Sequence, residues 1–237
     1  MHLVLVGAHP DDETMASGTA SKWVRAGHRV TIVVATRGGK GHWKIPSSEL
    51  CRIRTSEMEA AAKVLGADLM WLEFEDASIP AGDELREAMV DAIRILKPDI
   101  ILTFHPLVWR DDHRRVGLAV SDATLKASLP LHVTPYPWHR PEPKVYFFGD
   151  PMIHVEPDEY VDISQVMDIK RKAFEQHQSQ WQSWEVDGSI SPNNMERVWA
   201  WFTDRLKKNG SARGIEYAEA FISRYTGQPK LDLLPII

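Results

Sequence analysis

Four continuous apolar runs stand out in the first half of the chain. They span residues 3–8, 30–35, 69–72 and 100–104, and they are rich in Val, Ile and Leu rather than alternating in polarity. Runs of this kind are typical of strands that are buried on both faces of a parallel sheet. The pattern therefore predicts four buried strands.

Helical patterns lie between these runs. Apolar residues recur at helical spacing over residues 13–26, 48–65 and 83–96, and the stop signals Gly27, Gly66 and Pro98 follow them. Alternating strands and helices imply right-handed crossovers and a mostly parallel sheet. We predict an α/β fold, a Rossmann-like three-layer sandwich with the strand order 3-2-1-4-5.

The pattern changes after residue 128, where residues 129–144 carry five prolines and predict an irregular connection. The later pattern predicts strands over 145–148 and 160–163, helices over 164–177 and 194–209, a loop over 181–193 and a closing apolar segment over 217–222. We expect one α/β domain over 1–237. Its core is 1–128, and a smaller C-terminal addition, 129–237, completes the sheet and shapes the pocket.

Composition narrows the class of protein. The net charge is −5 without a basic stripe, which argues against a nucleic-acid partner. Cys51 is the single cysteine, so no disulfide forms within the chain, as suits a reducing compartment. The N-terminus lacks the pattern of a signal peptide, and no apolar stretch is long enough to span a bilayer. We expect a cytoplasmic protein without membrane insertion.

The chemistry concentrates where the first predicted strand ends, in the segment Ala8-His9-Pro10-Asp11-Asp12-Glu13. Buried charges are costly unless they are paired or bind a cation. Ligands of parallel sheets bind at the carboxyl ends of the strands, near the point where strand order reverses. With the predicted order, this segment faces the loop after strand four, residues 105–113, which ends in Asp112 and His113.

His9, Asp12 and His113 form a candidate set of metal ligands. Catalytic zinc takes three protein ligands and keeps a position for water, although Fe(II), Mn(II) and Co(II) also suit these donors. Asp11 is left over beside the set, as a general base requires. Taken singly, the acids could cap the following helix and His9 could be structural. The combination favours a metal site.

The segment 8–13 resembles the signature of the PIG-L/LmbE family of zinc-dependent N-deacetylases. Further resemblances follow in order along the chain: Thr36-Arg37-Gly38-Gly39; Arg54 to Glu57 with the helix end Leu65-Gly66; Asp112-His113 at the end of a His-x-Asp-His motif; Lys170, Ala173, His177, Ser179 and Gln180; and Tyr217 to Phe221.

This resemblance implies that His9, Asp12 and His113 bind Zn²⁺ and that Asp11 is the general base. It also implies removal of an acetyl group from an N-acetylated amino sugar or its conjugate. The chain departs from the family at Arg110, which stands where the motif has its first histidine. Arginine can donate to an oxyanion but cannot act as a general acid. His105, nearby, could compensate, but we interpret it as a loop histidine.

Four further residues are candidates around this site. Arg54 is expected either to tune Asp11 or to hold a polar group of the substrate; alternatively, it pairs with Glu57 on a helix surface. Trp109 is expected to contact the substrate, and Trp138 could also line the pocket wall. Asp112 is expected to orient His113 or a neighbour.

The remaining features concern a loop near the site, the C-terminal aromatic residues and assembly of the protein. Residues 38–41 predict a mobile rim loop. The tryptophans Trp181, Trp184, Trp199 and Trp201 are expected to fill the core or subunit contacts, and His177 and Gln180 to pack or lie at an interface, so we expect a homo-oligomer. Two other functions stay open: a metal phosphoesterase, which would need two bridged metals, and a non-catalytic sugar-binding module, which would have little need for Asp11.

Overall fold

The computed structural model describes residues 1–149, 153–181, 194–211 and 213–225. Its strands are β1 His2–Gly7, β2 Arg29–Thr36, β3 Asp68–Phe74, β4 Ile100–Thr103, β5 Lys144–Phe148, β6 Glu159–Asp162 and β7 Ala218–Ser223. In this described part of the chain they form a seven-stranded sheet in the order β3-β2-β1-β4-β5-β7-β6. The first five strands are parallel, and β7 pairs antiparallel to β5 and β6. The predicted order 3-2-1-4-5 is confirmed.

Helices cover both faces of the sheet. They are α1 Ser17–Arg25, α2 Ser47–Leu65, α3 Asp83–Leu96, α4 Asp111–Ala127, α5 Met167–Phe174, α6 Gln178–Trp181 and α7 Asn194–Ser211. Strand β1 shows how the layers form, since Leu3 and Leu5 join the core under α1, α2 and α7. Val4 and Val6 point to the opposite core, under α3 and α4. The three-layer sandwich is thus confirmed.

The structure corrects several predicted elements. Asp111, Asp112 and His113 lie in the first turn of α4 and not in a loop. The predicted helix over 13–26 is a 3₁₀ turn, Asp12–Met15, followed by α1, because the chain breaks helical geometry at Ala16. Strand β3 is half-buried rather than covered on both faces, because it is the edge strand and pairs with β2 alone. The predicted loop over 181–193 lies almost wholly outside the described residues.

The reversal of strand order falls at β1, which lies between β2 and β4. The segment that follows β1 and the helix that follows β4 therefore meet at the same edge of the sheet. The C-terminal part reaches this region as well, because Glu219 of β7 accepts hydrogen bonds from the backbone of Gly18 and Thr19 at the start of α1. No helix in the described ranges is long and apolar enough to cross a membrane.

Candidate active site

The three predicted ligands meet at the carboxyl edge of the sheet. His9 Nδ1 lies 3.2 Å from His113 Nε2, Asp12 Oδ2 lies 3.9 Å from His9 Nδ1, and Asp12 Oδ1 lies 3.3 Å from His113 Nε2. Donors that surround a tetrahedral ion at about 2.1 Å stand about 3.4 Å apart. The spacing and chemistry of these donors therefore fit a single divalent ion.

The backbone fixes the orientation of Asp12. Its Oδ2 accepts hydrogen bonds from the amides of Ala8 at 2.7 Å and His9 at 2.8 Å. This fold-back requires glycine at position 7, because a Cβ there would lie 2.7 Å from the Asp12 Cβ. Since the amides bind Oδ2, Oδ1 is left facing His113.

His113 is held by its position on α4. Its ring stacks on Phe104 with centroids 3.9 Å apart, and the side chain is buried. Burial, and then the charges of His9 and Arg110, lower the pKa of His113 to about 3. The imidazole is therefore neutral at ordinary pH, as a metal ligand must be.

Two carboxylates hold the other side of the His9 ring. His9 Nε2 lies 3.0 Å from Asp76 Oδ1 and 3.2 Å from Asp112 Oδ2. Burial alone would lower the pKa of His9, but these hydrogen bonds outweigh it and raise the pKa to about 10. In these hydrogen bonds the protonated Nε2 of His9 is the donor, and the opposite nitrogen, Nδ1, faces Asp12 and His113.

Asp112 thus contacts His9, a neighbour of His113, and its own position is fixed by the amide of Ala77 at 3.0 Å. Asp76 is a site residue that the sequence analysis did not identify. It stands two residues after β3, at the same edge of the sheet, and the rule that points to strand ends could have found it. Its Oδ2 accepts from the Lys40 amide at 2.7 Å.

Asp11 lies beside the donor set in an unusual backbone conformation, with φ 121° and ψ −17°. Its amide donates to Glu13 Oε2 at 3.2 Å, its carbonyl accepts from the Thr14 amide, and its Oδ1 accepts from Arg54 Nη2 at 3.1 Å. Burial raises the pKa of Asp11, against the lowering charge of Arg54. The carboxyl group therefore has raised basicity in a fixed position.

Arg54 is buried, with 3% of its surface exposed. Besides Asp11, its guanidinium donates to the carbonyls of Pro10 and Gly38. The alternative of a surface pair with Glu57 is wrong, because Glu57 accepts from Ser179 instead. The contacts of Arg54 with the chain favour a role in tuning Asp11 over direct contact with a substrate.

The segment 38–41, predicted to be a mobile rim loop, begins with two buried glycines, Gly38 and Gly39. Gly38 has φ 67°, and a Cβ there would overlap the Arg54 guanidinium. The chain becomes exposed beyond it, at Lys40 and Gly41, and Trp43 is 72% exposed.

Trp109 and Arg110 lie just before α4 and are both exposed. The Arg110 guanidinium lies over the Trp109 ring, 5.3 Å from its centroid, and its charge contributes to the low pKa of His113. Trp138 is 49% exposed. His105 is a loop residue whose Nδ1 accepts from the Leu107 amide.

The C-terminal tryptophans divide into two groups. Trp181 and Trp199 pack in a small core around Phe174, whereas Trp201 is 47% exposed; Trp184 lies outside the described residues. The sequence predicts that His177 is a packing or interface residue. It is fully buried, and its Nε2 lies 2.7 Å from Glu13 Oε1.

Known proteins resemble this chain in sequence. The model of the PIG-L family, described as GlcNAc-PI de-N-acetylase, matches residues 4–124. The diacetylchitobiose deacetylase of Thermococcus kodakarensis is 30% identical over 200 residues, which cover 77% of this chain and 73% of that protein.

Solved structures share the fold. The N,N'-diacetylchitobiose deacetylase from Pyrococcus horikoshii has a TM-score of 0.81 at 24% identity, covering 93% of this chain and 82% of that one. The 4-carboxy-2-hydroxymuconate hydratase from Pseudomonas putida KT2440 has a TM-score of 0.78 at 22% identity, covering 97% and 98% of the two chains. The fold alone therefore does not fix the reaction. The family model and the 30% identical relative show that the chain belongs to the PIG-L family.

Proposed function

We propose that this protein is a metal-dependent N-deacetylase that removes the acetyl group from an N-acetylglucosamine-type amino sugar or its conjugate. Family membership supports this class of reaction. The observation that carries the proposal is the placement of Asp11, a carboxylate that lies beside the His9–Asp12–His113 set and is held by Arg54 at 3.1 Å.

The three donors would hold one divalent ion, and we propose Zn²⁺, although Fe(II), Mn(II) or Co(II) would suit the same donors. Such an ion supplies a Lewis acid for the amide carbonyl and favours ionisation of the attacking water. The neutral His113 and the oriented Nδ1 of His9 support this assignment.

We assign proton transfer to Asp11. Its carboxylate takes a proton from water as the water oxygen attacks the acetamide carbon. The C–N bond then breaks as Asp11 returns the proton to the leaving nitrogen, so that the products are the free amine and acetic acid, which loses its own proton to become acetate. We propose that Arg110 shares the negative charge that develops on the carbonyl oxygen and that Trp109 lines the sugar site.

A phosphoesterase fits the site less well. Ligand atoms of His9, Asp76 and Asp112 also lie within 4.8 Å of one another and form a second candidate donor set. The two donor sets share one imidazole through opposite nitrogens, which would separate two ions by about 6 Å, given bonds of about 2.1 Å. Two-metal hydrolases hold their ions about 3.5–4 Å apart. A sugar-binding module, in turn, would have no need for a half-buried base held in a strained backbone conformation.

We also propose a homo-oligomer in the cytoplasm. The cytoplasmic location rests on the single cysteine. Support for assembly comes from exposed apolar side chains on α4 and the segment after it, Leu118, Leu125, Leu131 and Val133, and not from Trp181 or Trp199, which the chain itself buries. Light scattering on the purified protein would test assembly, and cell fractionation would test location.

Direct measurement of both products tests the reaction. The protein would be stripped with a chelator, reloaded with each candidate metal and given N-acetylglucosamine, its glycosides and phosphate monoesters. We expect equal amounts of acetate and primary amine, formed only with metal. Phosphate release without acetate release, or no acetate from any amide, would contradict the proposal.

A further inference from the structure

We propose that His177 and Glu13 are positioning residues that hold the backbone of Asp11 in its strained conformation. This inference rests on the proposed function, because it concerns the base of that reaction. Through Glu13, the turn between α5 and α6 would affect turnover at Asp11, although it lies far from Asp11 in sequence.

Glu13 connects the two residues. One of its carboxylate oxygens, Oε2, accepts from the Asp11 amide at 3.2 Å. The other, Oε1, accepts from His177 Nε2 at 2.7 Å. Both the Glu13 and the His177 side chains are 0% exposed, so water cannot replace the contact between them. A displacement of Glu13 would therefore remove the acceptor to which the Asp11 amide donates.

Asp11 needs such support because of its backbone. A non-glycine residue at φ 121° lies in a sparsely populated region and stays there only when its surroundings fix it. Thr14 and Arg54 hold its carbonyl and side chain. Glu13 holds the remaining polar group of the Asp11 backbone, the amide, so release of that contact would let the peptide relax and turn the carboxylate away.

His177 is itself well anchored. The Phe174 and Trp181 rings on either side of it stack with centroids 4.3 Å apart, and the Trp181 indole donates to the Phe174 carbonyl. Two residues on, Ser179 donates to Glu57 of α2. Among the described residues, His177 Nδ1 has no hydrogen-bond partner. The contact with Glu13 is thus the polar interaction that accounts for a fully buried histidine at this place.

The chain offers a matched control. Ser179→Ala removes a part-buried hydrogen bond two residues after His177, in α6, from a side chain that contacts neither Glu13 nor Asp11. His177→Leu removes the donor to Glu13, whereas His177→Gln keeps a donor close to the position of Nε2. All three variants would be compared as the metal-loaded full chain, at a temperature at which each is folded.

We expect His177→Leu to lower kcat about 10- to 100-fold with KM and metal content near those of the wild type. His177→Gln should recover most of kcat, and Ser179→Ala should keep it. Equal kcat in His177→Leu and Ser179→Ala, or no recovery in His177→Gln, would overturn the inference.

Hydrogen exchange provides a second readout that does not need turnover. In His177→Leu, protection of the Asp11 amide should fall at least about tenfold, and in Ser179→Ala it should stay near the wild-type value. A wild-type protein inactive on every amide would refute the proposed function, while this comparison would still decide the role of His177. Unchanged protection in His177→Leu would count against it.

Discussion

Arg54 Nη2 lies 3.1 Å from Asp11 Oδ1, so a buried arginine on α2 holds the proposed base. The same guanidinium binds the carbonyls of Pro10 and Gly38. Arg54 therefore joins the segment after β1 to the segment after β2, and it opposes the effect of burial on the Asp11 pKa.

Two substitutions of Arg54 should separate the effect of its charge on the Asp11 pKa from the effect of its hydrogen bonds on the position of Asp11. Arg54→Gln removes the charge that lowers the Asp11 pKa, so the acid limb of kcat/KM should move to higher pH. Arg54→Lys keeps the charge but loses the forked contacts. We expect its acid limb to stay in place while kcat falls about 100-fold. The pH profile at saturating metal measures both effects, and an equal shift in the two variants would exclude this role.

Asp112 should control metal affinity through His9. In Asp112→Asn the His9 ring loses a charged acceptor at 3.2 Å, and we expect about 10- to 100-fold weaker metal binding in competition with a chelator. Asp111→Asn is the matched control, because Asp111 lies next to Asp112 on α4 but pairs with Arg115. Equal affinities in the two variants would show that Asp112 does not support His9.

Metal binding should release a proton from His9. Without metal, the pKa of His9 is about 10, whereas that of His113 is about 3. Binding at Nδ1 removes one proton, so affinity should rise with pH until about 10, and about one proton should leave per ion at pH 8. Calorimetry in buffers with different ionisation enthalpies measures this number. Asp76→Asn should decrease this number, because it removes one of the carboxylates that raise the pKa of His9. No proton release in the wild type would contradict the raised pKa of His9.

Glycine should be needed at position 38 for two reasons: the positive φ of the backbone, and the close approach of the Arg54 guanidinium. Gly38 and Gly27 both have positive φ, 67° and 78°, but only Gly38 packs against a side chain, Arg54. Gly27→Ala should therefore cost about 1 kcal/mol in the free energy of unfolding, from backbone strain alone. Gly38→Ala should cost more and also lower kcat. Urea unfolding and turnover would show this, and identical losses in both variants would mean that the Arg54 contact is unimportant.

Much of the fold could be predicted because buried parallel strands leave continuous apolar runs. The exceptions have local causes. Strand β3 has an equally apolar run but lies at the edge, and strand position in a sheet depends on pairings between distant residues. The start of α4 is charged, and acids in a first helical turn resemble a polar loop until the dipole is considered.

The site divides in a similar way. His9, Asp12 and His113 could be brought together in advance, because their strand ends share one edge of the sheet. Asp76 could also have been placed at this edge because it follows β3, although its contact with His9 depends on side-chain direction. The contact between His177 and Glu13 could not be predicted, because it joins residues 164 positions apart. The family was confirmed. The roles of the individual residues stay predictions, including that of Arg110, which lies exposed beside Trp109.

The most direct test of the central claim compares Asp11→Asn with the wild type for metal content and amine release. Asparagine keeps the Oδ1 acceptor for Arg54 but cannot take the proton. We predict that Asp11→Asn binds metal in wild-type amounts and loses about 10²- to 10⁴-fold in kcat, whereas His113→Ala loses the metal. Normal turnover by Asp11→Asn, with metal bound, would contradict the assignment of Asp11 as the base.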